Sequence, residues 1–421
     1  MFARTVAASA LVGCGFAAAL TAGQDPPQTL KSGVELVMVD AQVVDRKGEP
    51  IGGLTSQNFQ VSIGGKRRTV VSAEFLDANT GLPRGGAPDG STPRATPGNI
   101  YVLAVDQGSF RAVNAPSVIY AAREFLKRAK PNDYIGMVSF PSPGVVINPT
   151  RERKPLEEAI PRLVGFSAVK QQRQFQYSLA DAIDVGSSAN LSRDQDVFRG
   201  LIQRNCQPND IVCPKELEME ITETISILEM QSARSLAGIR SVIASIKDIP
   251  ARRTLVVLSA GIPSTDRSGA RLYMSSDAKQ AGKEAASAGV LLYTLHLNTT
   301  FLDAFSPDAP SAAQTAMREA SVYARGLDLF NGTGGGTFLE VNTGADFAVD
   351  RMMRETSAYY LLGVQVEDAD RNGEAHRIEV KVSQRGANVR NRASVVIPKK
   401  AASGSRLLPA SGSRIPAPGA P

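Results

Sequence analysis

Two stretches of period-two alternation lie at opposite ends of this chain, and neither is long enough to bury a core alone. The first runs from Gly33 to Phe75, with Val34 to Val44 as one long strand, then Phe59–Ile63, the Gly64-Gly65 turn and Thr69–Phe75. The second follows Thr356, with Tyr359–Val366, Arg377–Val382 and Val389–Ile397. Such alternation marks strands buried on one face only. Residues 31–80 and 356–398 are therefore expected to pair into one discontinuous β-sandwich around whatever the middle of the chain forms.

Between these segments the pattern changes. Residues 81–98 are Gly, Pro, Ser and Thr with few apolar side chains, and read as a linker. Over 99–355, continuous apolar runs alternate with helical spacing. The runs are Ile100–Val105, Tyr134–Phe140, Val145–Ile147, Thr254–Leu258, Val290–Leu295 and Thr337–Val341, as expected of strands buried on both faces. Helical spacing covers Pro116–Lys130, Leu156–Leu163, Tyr177–Val185, Ile221–Ile246, Asp277–Ser287, Ala312–Leu329 and Asp346–Glu355. This grammar predicts an α/β domain with a doubly wound, mainly parallel sheet, inserted into the sandwich. Residues 186–220 read as an insertion in that domain.

The amino terminus points to a compartment. Residues 1–23 hold one cation, Arg4, then an Ala/Leu/Val-rich run and small residues, the layout of a secretory signal peptide. Leu11-Val12-Gly13-Cys14 has the form of a lipoprotein cleavage box, so the alternative to secretion into the periplasm or beyond is a lipid anchor on Cys14. The other two cysteines, Cys206 and Cys213, are separated by QPNDIV. In an oxidising compartment such a pair is expected to form a disulfide, against the alternative of two free thiols. Neither His nor further Cys is near enough to complete a zinc site.

Charge excludes some partners. The net charge of +6 is carried almost entirely by Arg4 and the tail 399–421, which holds Lys399, Lys400, Arg406 and Arg414 without an acid. The tail reads as disordered by composition. A near-neutral body leaves no footprint for nucleic acid.

The order of elements resembles a von Willebrand factor type A domain, and more closely the type A-related proteins found in acidobacterial genomes. The residues that carry the resemblance include Gly53-Leu54-Thr55-Ser56-Gln57-Asn58-Phe59-Gln60-Val61, Tyr101–Asp106, Asp133–Phe140, Arg252–Gly261, Thr333-Gly334-Gly335 and Tyr359–Gly363. The resemblance implies a protein-binding module that holds a divalent cation at the carboxyl ends of its strands, through D-x-S-x-S, a Thr and an S-D-G turn. This chain reads Asp106-Gln107-Gly108-Ser109-Phe110, Tyr177-Ser178 and Ser259-Ala260-Gly261 in those places. One acid and scattered hydroxyls are a poor octahedral set, and Phe110 would add apolar bulk if it turned inward. The expectation is thus no resident cofactor or metal, with Asp106 the sole candidate ligand for Mg²⁺. Asp106, Ser109, Ser178, Ser259 and the loop Ile262 to Ser268 are taken as the partner-binding face, a degenerate adhesion site; a strand-ending carboxylate that caps loop amides is the plainer role for Asp106.

Enzyme signatures are missing. Asn331–Gly336 is Gly-rich but follows a helix and lacks Gly-Lys-Ser/Thr, so it reads as a helix cap. His296, just past the Leu295 strand end, and His376 accompany no G-x-S-x-G or H-E-x-x-H motif. Glu216, Glu218 and Glu220 read as a solvated helix start. The sequence therefore favours a secreted, non-enzymatic module that binds a protein of the envelope or extracellular space. The alternative is a hydrolase in the crevice above the parallel strands, which needs His296 or an acid within hydrogen-bond reach of Ser109, Ser259 or Ser264.

Overall fold

Alternation of apolar and polar side chains sets the first strands. β1 (Leu36–Val44) turns Val39, Ala41 and Val43 to one side, and β2 (Phe59–Ile63), β3 (Lys66–Arg68) and β4 (Val70–Asp77) follow. The computed structural model describes residues 36–78, 80, 99–141, 144–167, 173–186, 191–249, 252–266, 270–299, 313–342, 344–392 and 394–399. The leader with Cys14, the linker 81–98 and the tail beyond residue 399 lie outside the described residues.

The middle of the chain runs β5 (Ile100–Asp106), α1 (Ala115–Arg128), β6 (Tyr134–Phe140), β7 (Val146–Thr150), α2 (Lys154–Ala159), α3 (Leu179–Val185), α4 (Leu191–Asn205) and α5 (Cys213–Ile246). It continues with β8 (Arg253–Ser259), α6 (Ser275–Ser287), β9 (Leu291–Leu297), α7 (Ala313–Gly334), β10 (Thr337–Val341) and α8 (Asp346–Glu355). These strands form one sheet in the order β10-β9-β8-β5-β6-β7, parallel except for β7, which runs antiparallel on the β6 edge. The β7 pairing is irregular opposite Gly136, where Pro149 packs. One face of the sheet is covered by α1 and α8 through Val118, Phe125, Val349 and Met352. The other is covered by the second half of α5 and by α6 and α7, through Ile239, Ile243, Ala281 and Phe330. Gly282 lets α6 approach α7, because a Cβ there would stand 2.5 Å from the Phe330 carbonyl.

The chain ends in β11 (Ala358–Gln365), β12 (Ala375–Val382), β13 (Asn388–Asn391) and β14 (Ser394–Val396). β11 pairs antiparallel with both β1 and β4, and β12 with β2, giving sheets β13-β1-β11-β4 and β14-β12-β2-β3. Val39, Val61, Tyr360, Leu362 and Val380 share the core between them. The Tyr360 hydroxyl donates to Ile51 O (2.9 Å) and accepts from Leu54 N (3.0 Å), fixing the segment before β2.

The structure departs from the sequence reading at four places. Val389–Ile397 is two strands in different sheets, β13 against β1 and β14 against β12. The insertion is helical: α4 carries Val197, Phe198, Leu201 and Ile202 toward a satellite core shared with α3, Phe175, Tyr177 and the first half of α5. α5 begins at Cys213, because its apolar stripe extends back through Leu217, and Pro214 suits a first helical turn. His296 lies inside β9 rather than past its end. At 34 residues, α5 is about 50 Å long and joins the satellite core to the sheet core.

The described residues belong to one compact unit, and its two parts are locked by buried charge. Glu355 at the end of α8 is 0% exposed, and pairs with Arg390 on β13 (2.9 Å) and Arg351 (3.0 Å). It also accepts from the Tyr293 hydroxyl on β9 (3.0 Å). Asp40 on β1 pairs with Arg392 (2.6 Å) and Arg252 (3.6 Å). Removing one partner of a buried pair strands the other charge. Glu355→Ala should therefore cost about 3–5 kcal/mol in urea unfolding. Lys381→Ala, which breaks an exposed pair with Glu379, should leave the midpoint unchanged.

Candidate functional site

β5 is apolar from Ile100 to Val105 and ends on a carboxylate, so Asp106 is delivered to the sheet at full burial, 0% exposed. It lies where the strand order reverses, between β8 and β6, the position at which doubly wound sheets open a crevice. Ser259 ends β8 beside it, and His296 on β9 is in register with Ser259.

Two serines tie the loops above these strands together. Ser259 Oγ donates to Asp106 Oδ2 (2.9 Å) and accepts from Gly261 N (3.1 Å). Ser109 Oγ donates to the Asp106 carbonyl (2.7 Å) and accepts from Ala260 N (2.8 Å). Gly261, at φ +132°, lets the loop after β8 run along α7, where Ile262 N donates to Tyr323 O (2.9 Å).

The crevice is roofed. Ser232 on α5 donates to Pro263 O (3.0 Å), and residues 164–167 lie along the loop after β5. There Gln107 Nε2 donates to Val164 O (2.8 Å), and Phe166 N donates to Gln107 O (2.8 Å). Burial pushes the Asp106 carboxyl up to about 7, against the opposing pull of the Ser235 and Ser259 hydroxyls and the Gly108 amide. Ser235 is close enough to act on the carboxylate, yet its Oγ and Asp106 Oδ1 make no well-formed hydrogen bond.

The placement of the expected residues corrects several readings. Asp106, Ser109 and Ser259 come together, but all three are buried, so a partner cannot touch them; they brace the loops that it could touch. Ser178 stands apart in the satellite core, where it caps α3 by accepting from Asp181 N (3.0 Å). Phe110 turns into the core on the α1 face, away from the face that holds Asp106. Ile262, Pro263 and Ser264 are buried, while Asp266 is exposed and pairs with Arg325. Cys206 and Cys213 are disulfide-bonded, with Cα atoms 5.7 Å apart. Glu220 does more than solvate a helix end: it accepts from the Gln174 (3.0 Å) and Phe175 (3.4 Å) amides. Asn331–Gly334 completes α7, and Gly335 at φ +72° ends it.

A divalent cation does not fit. Among the described residues no group of three His, Cys, Asp or Glu could hold one. The Ser109 and Ser259 hydroxyls already donate and accept within the brace, and a desolvated lone carboxylate cannot anchor a hydrated Mg²⁺. The hydrolase geometry is met only in part. An acid does reach Ser259, but the pair is sealed from solvent and His296 makes no hydrogen bond to it. Burial pushes the His296 imidazole below its ordinary value, and its ring lies against Phe338.

Comparison with protein-family models and with curated proteins finds no match. Among solved structures the chain is similar to an aerotolerance-related membrane protein from Bacteroides fragilis, at 13% identity over 62% of this chain and 98% of that one, with a TM-score of 0.28. It is also similar to the vWF domain of the type V pili tip protein Mfa5 from Porphyromonas gingivalis, at 9% identity over 62% and 95%, with a TM-score of 0.31. A three-domain piece of Mfa5 matches at 10% identity over 74% and 54%, with a TM-score of 0.29. Likenesses this distant decide neither fold nor function, and the architecture rests on the strand order.

The buried carboxyl has a measurable consequence. Asp106 is protonated more readily in the folded chain than at its ordinary value of 3.8. Its contribution to stability is therefore complete below about pH 4 and is lost as pH rises through about 7. Asp106→Asn keeps the shape and removes the buried charge. Melting curves between about pH 5 and pH 8 should show the variant gaining a few degrees over the parent at the upper end and little at the lower.

Proposed function

We propose that this chain is an exported, non-enzymatic protein of the von Willebrand factor type A kind. It binds a protein partner in the periplasm or at the cell surface through the loops above its parallel strands, with the leader removed or Cys14 lipidated. The observation that carries the reading is the Asp106 brace. The position that the resemblance would give to a metal is occupied by carboxyl and hydroxyl groups bonded to one another and to loop amides. In this reading the adhesion site has become a support, and recognition passes to what it supports.

The exposed side chains there are apolar. Val113 in the loop after β5 is 67% exposed, and Val164 and Phe166, on the segment bonded to that loop, are 43% and 51% exposed. An aromatic residue on a braced loop is the kind of anchor that dominates protein interfaces.

The test is capture of partners from envelope extracts by the parent and by Phe166→Ser, each with and without EDTA. The expected result is capture that EDTA does not reduce and that the substitution weakens. Millimolar Mg²⁺ should also leave the melting temperature unchanged, since any ion that binds only the folded state raises it by mass action. A Mg²⁺-dependent rise that disappears in Asp106→Ala would overturn the proposal and restore a metal-dependent site.

A further inference from the structure

One lane of the first sandwich sheet is only half filled. β11 pairs with β1 from Leu36 to Ala41, but on the other side β13 pairs with it only over Ala41–Val44. From Leu36 to Val39, β1 has no neighbour on the β13 side among the described residues. The chain leaves that lane after Asn391 and continues as β14 in the other sheet, against β12.

Backbone direction shows what the vacancy presents. Val43 O accepts from Ile51 N (2.8 Å), and Pro50 bridges Val44 on the side away from β13. Alternate residues of a strand turn their backbone groups the same way, so those of Val37, Val39 and Ala41 face β11. The N–H and C=O of Leu36 and Met38 therefore face the empty lane. Its neighbours are apolar in both layers. Leu36 and Met38 stand on the outer face, 38% and 44% exposed, and Val37 and Val39 join the sandwich core.

Sheet edges are ordinarily guarded by charge, proline or broken register, because open backbone groups recruit another strand. The other edges follow that rule. β7 has Pro149, β3 has exposed Lys66 and Arg67, β10 has exposed Glu340, and β4 has exposed Glu74 and a register shift against β11. β14 lies along the end of α6, where Ser394 Oγ donates to Ala286 O (2.8 Å). Leu36-Val37-Met38-Val39 carries neither charge nor proline.

We propose that this half-lane receives an extended apolar segment of another protein as an added strand, at a site separate from the loops above the parallel sheet. Unpaired main-chain donors and acceptors call for another main chain, and apolar neighbours in both layers call for consecutive uncharged, β-branched side chains. The newcomer continues the ladder that β13 begins. Two other occupants fit worse. A second copy's β1, laid antiparallel over Leu36–Val39, would run its own β13 into the path of the chain entering at Leu36. In sequence, residues 24–35, 81–98 and 400–421 offer at most pairs of apolar residues, such as Leu407-Leu408, which Pro409 follows.

The probe is a capped peptide, Thr-Val-Ile-Val-Thr between two lysines, titrated calorimetrically into the full chain and followed by residue-resolved hydrogen exchange. In the free chain the Met38 amide should exchange fast and the Val39 amide slowly. The peptide should bind in the micromolar to millimolar range and, at saturation, slow Met38 exchange about tenfold or more. Methylating its Val and Ile amides removes the donors and should weaken binding about tenfold or more. Met38→Lys, which installs a guard on the exposed face, should weaken the plain peptide as much with the melting temperature unchanged. Should that variant fail to fold, the methylated peptide decides the matter. No binding, equal binding of the methylated peptide, or binding that survives Met38→Lys would overturn the proposal. Slow Met38 exchange in the free chain would also overturn it: protection lost on dilution assigns the lane to a second copy, and protection independent of concentration assigns it to this chain itself.

Discussion

The fold depends on a long-range closure. β1 cannot be completed until β11 arrives, and the Tyr360 hydroxyl on β11 reaches Ile51, 309 residues earlier in the chain. Everything between is a loop whose ends are sewn together by that pairing. Closing so long a loop costs chain entropy that grows only slowly with length, so a large insert is tolerated if the seam is strong. Here the seam is strengthened by Glu355, which sits at 0% exposure between the end of α8, β9 and β13, where two guanidinium groups and a tyrosine hydroxyl satisfy it. A carboxylate so placed ties the returning chain to both layers at the point of re-entry.

Much of this architecture was legible because burial leaves a periodic trace. Ile100–Val105, apolar at every position, is a strand covered on both faces, and the alternation that includes Val39, Ala41 and Val43 gives β1, Leu36–Val44, a strand covered on one. The trace fails where burial comes from elsewhere. α4 has too few apolar residues and a Gly200 inside it, and becomes a helix by docking Leu201 against α3 and α5. The break in Val389–Ile397 is equally silent. Both halves alternate, and only the Arg392 ion pair with Asp40 marks where the chain changes sheets.

The site was legible in part, for a related reason. A carboxylate at the end of a buried strand announces itself as unusual, and Asp106, Ser109 and Ser259 do meet in space. Sequence order gave no sign that Ser232 of α5 and residues 164–167 would roof them, since those contacts join segments distant in the chain that no local pattern pairs.

The β7 edge bears on how the molecule behaves in a crowd. A parallel sheet of this kind ends in a strand whose outer amides and carbonyls could template a neighbour. Here that strand is reversed and only five residues long, and its pairing is broken where Pro149 packs on Gly136. A second copy approaching that rim meets a short ladder interrupted by a ring that cannot donate. That rim is thus protected against pairing edge to edge with a second copy, a colloidal safeguard separate from anything the strand ends bind.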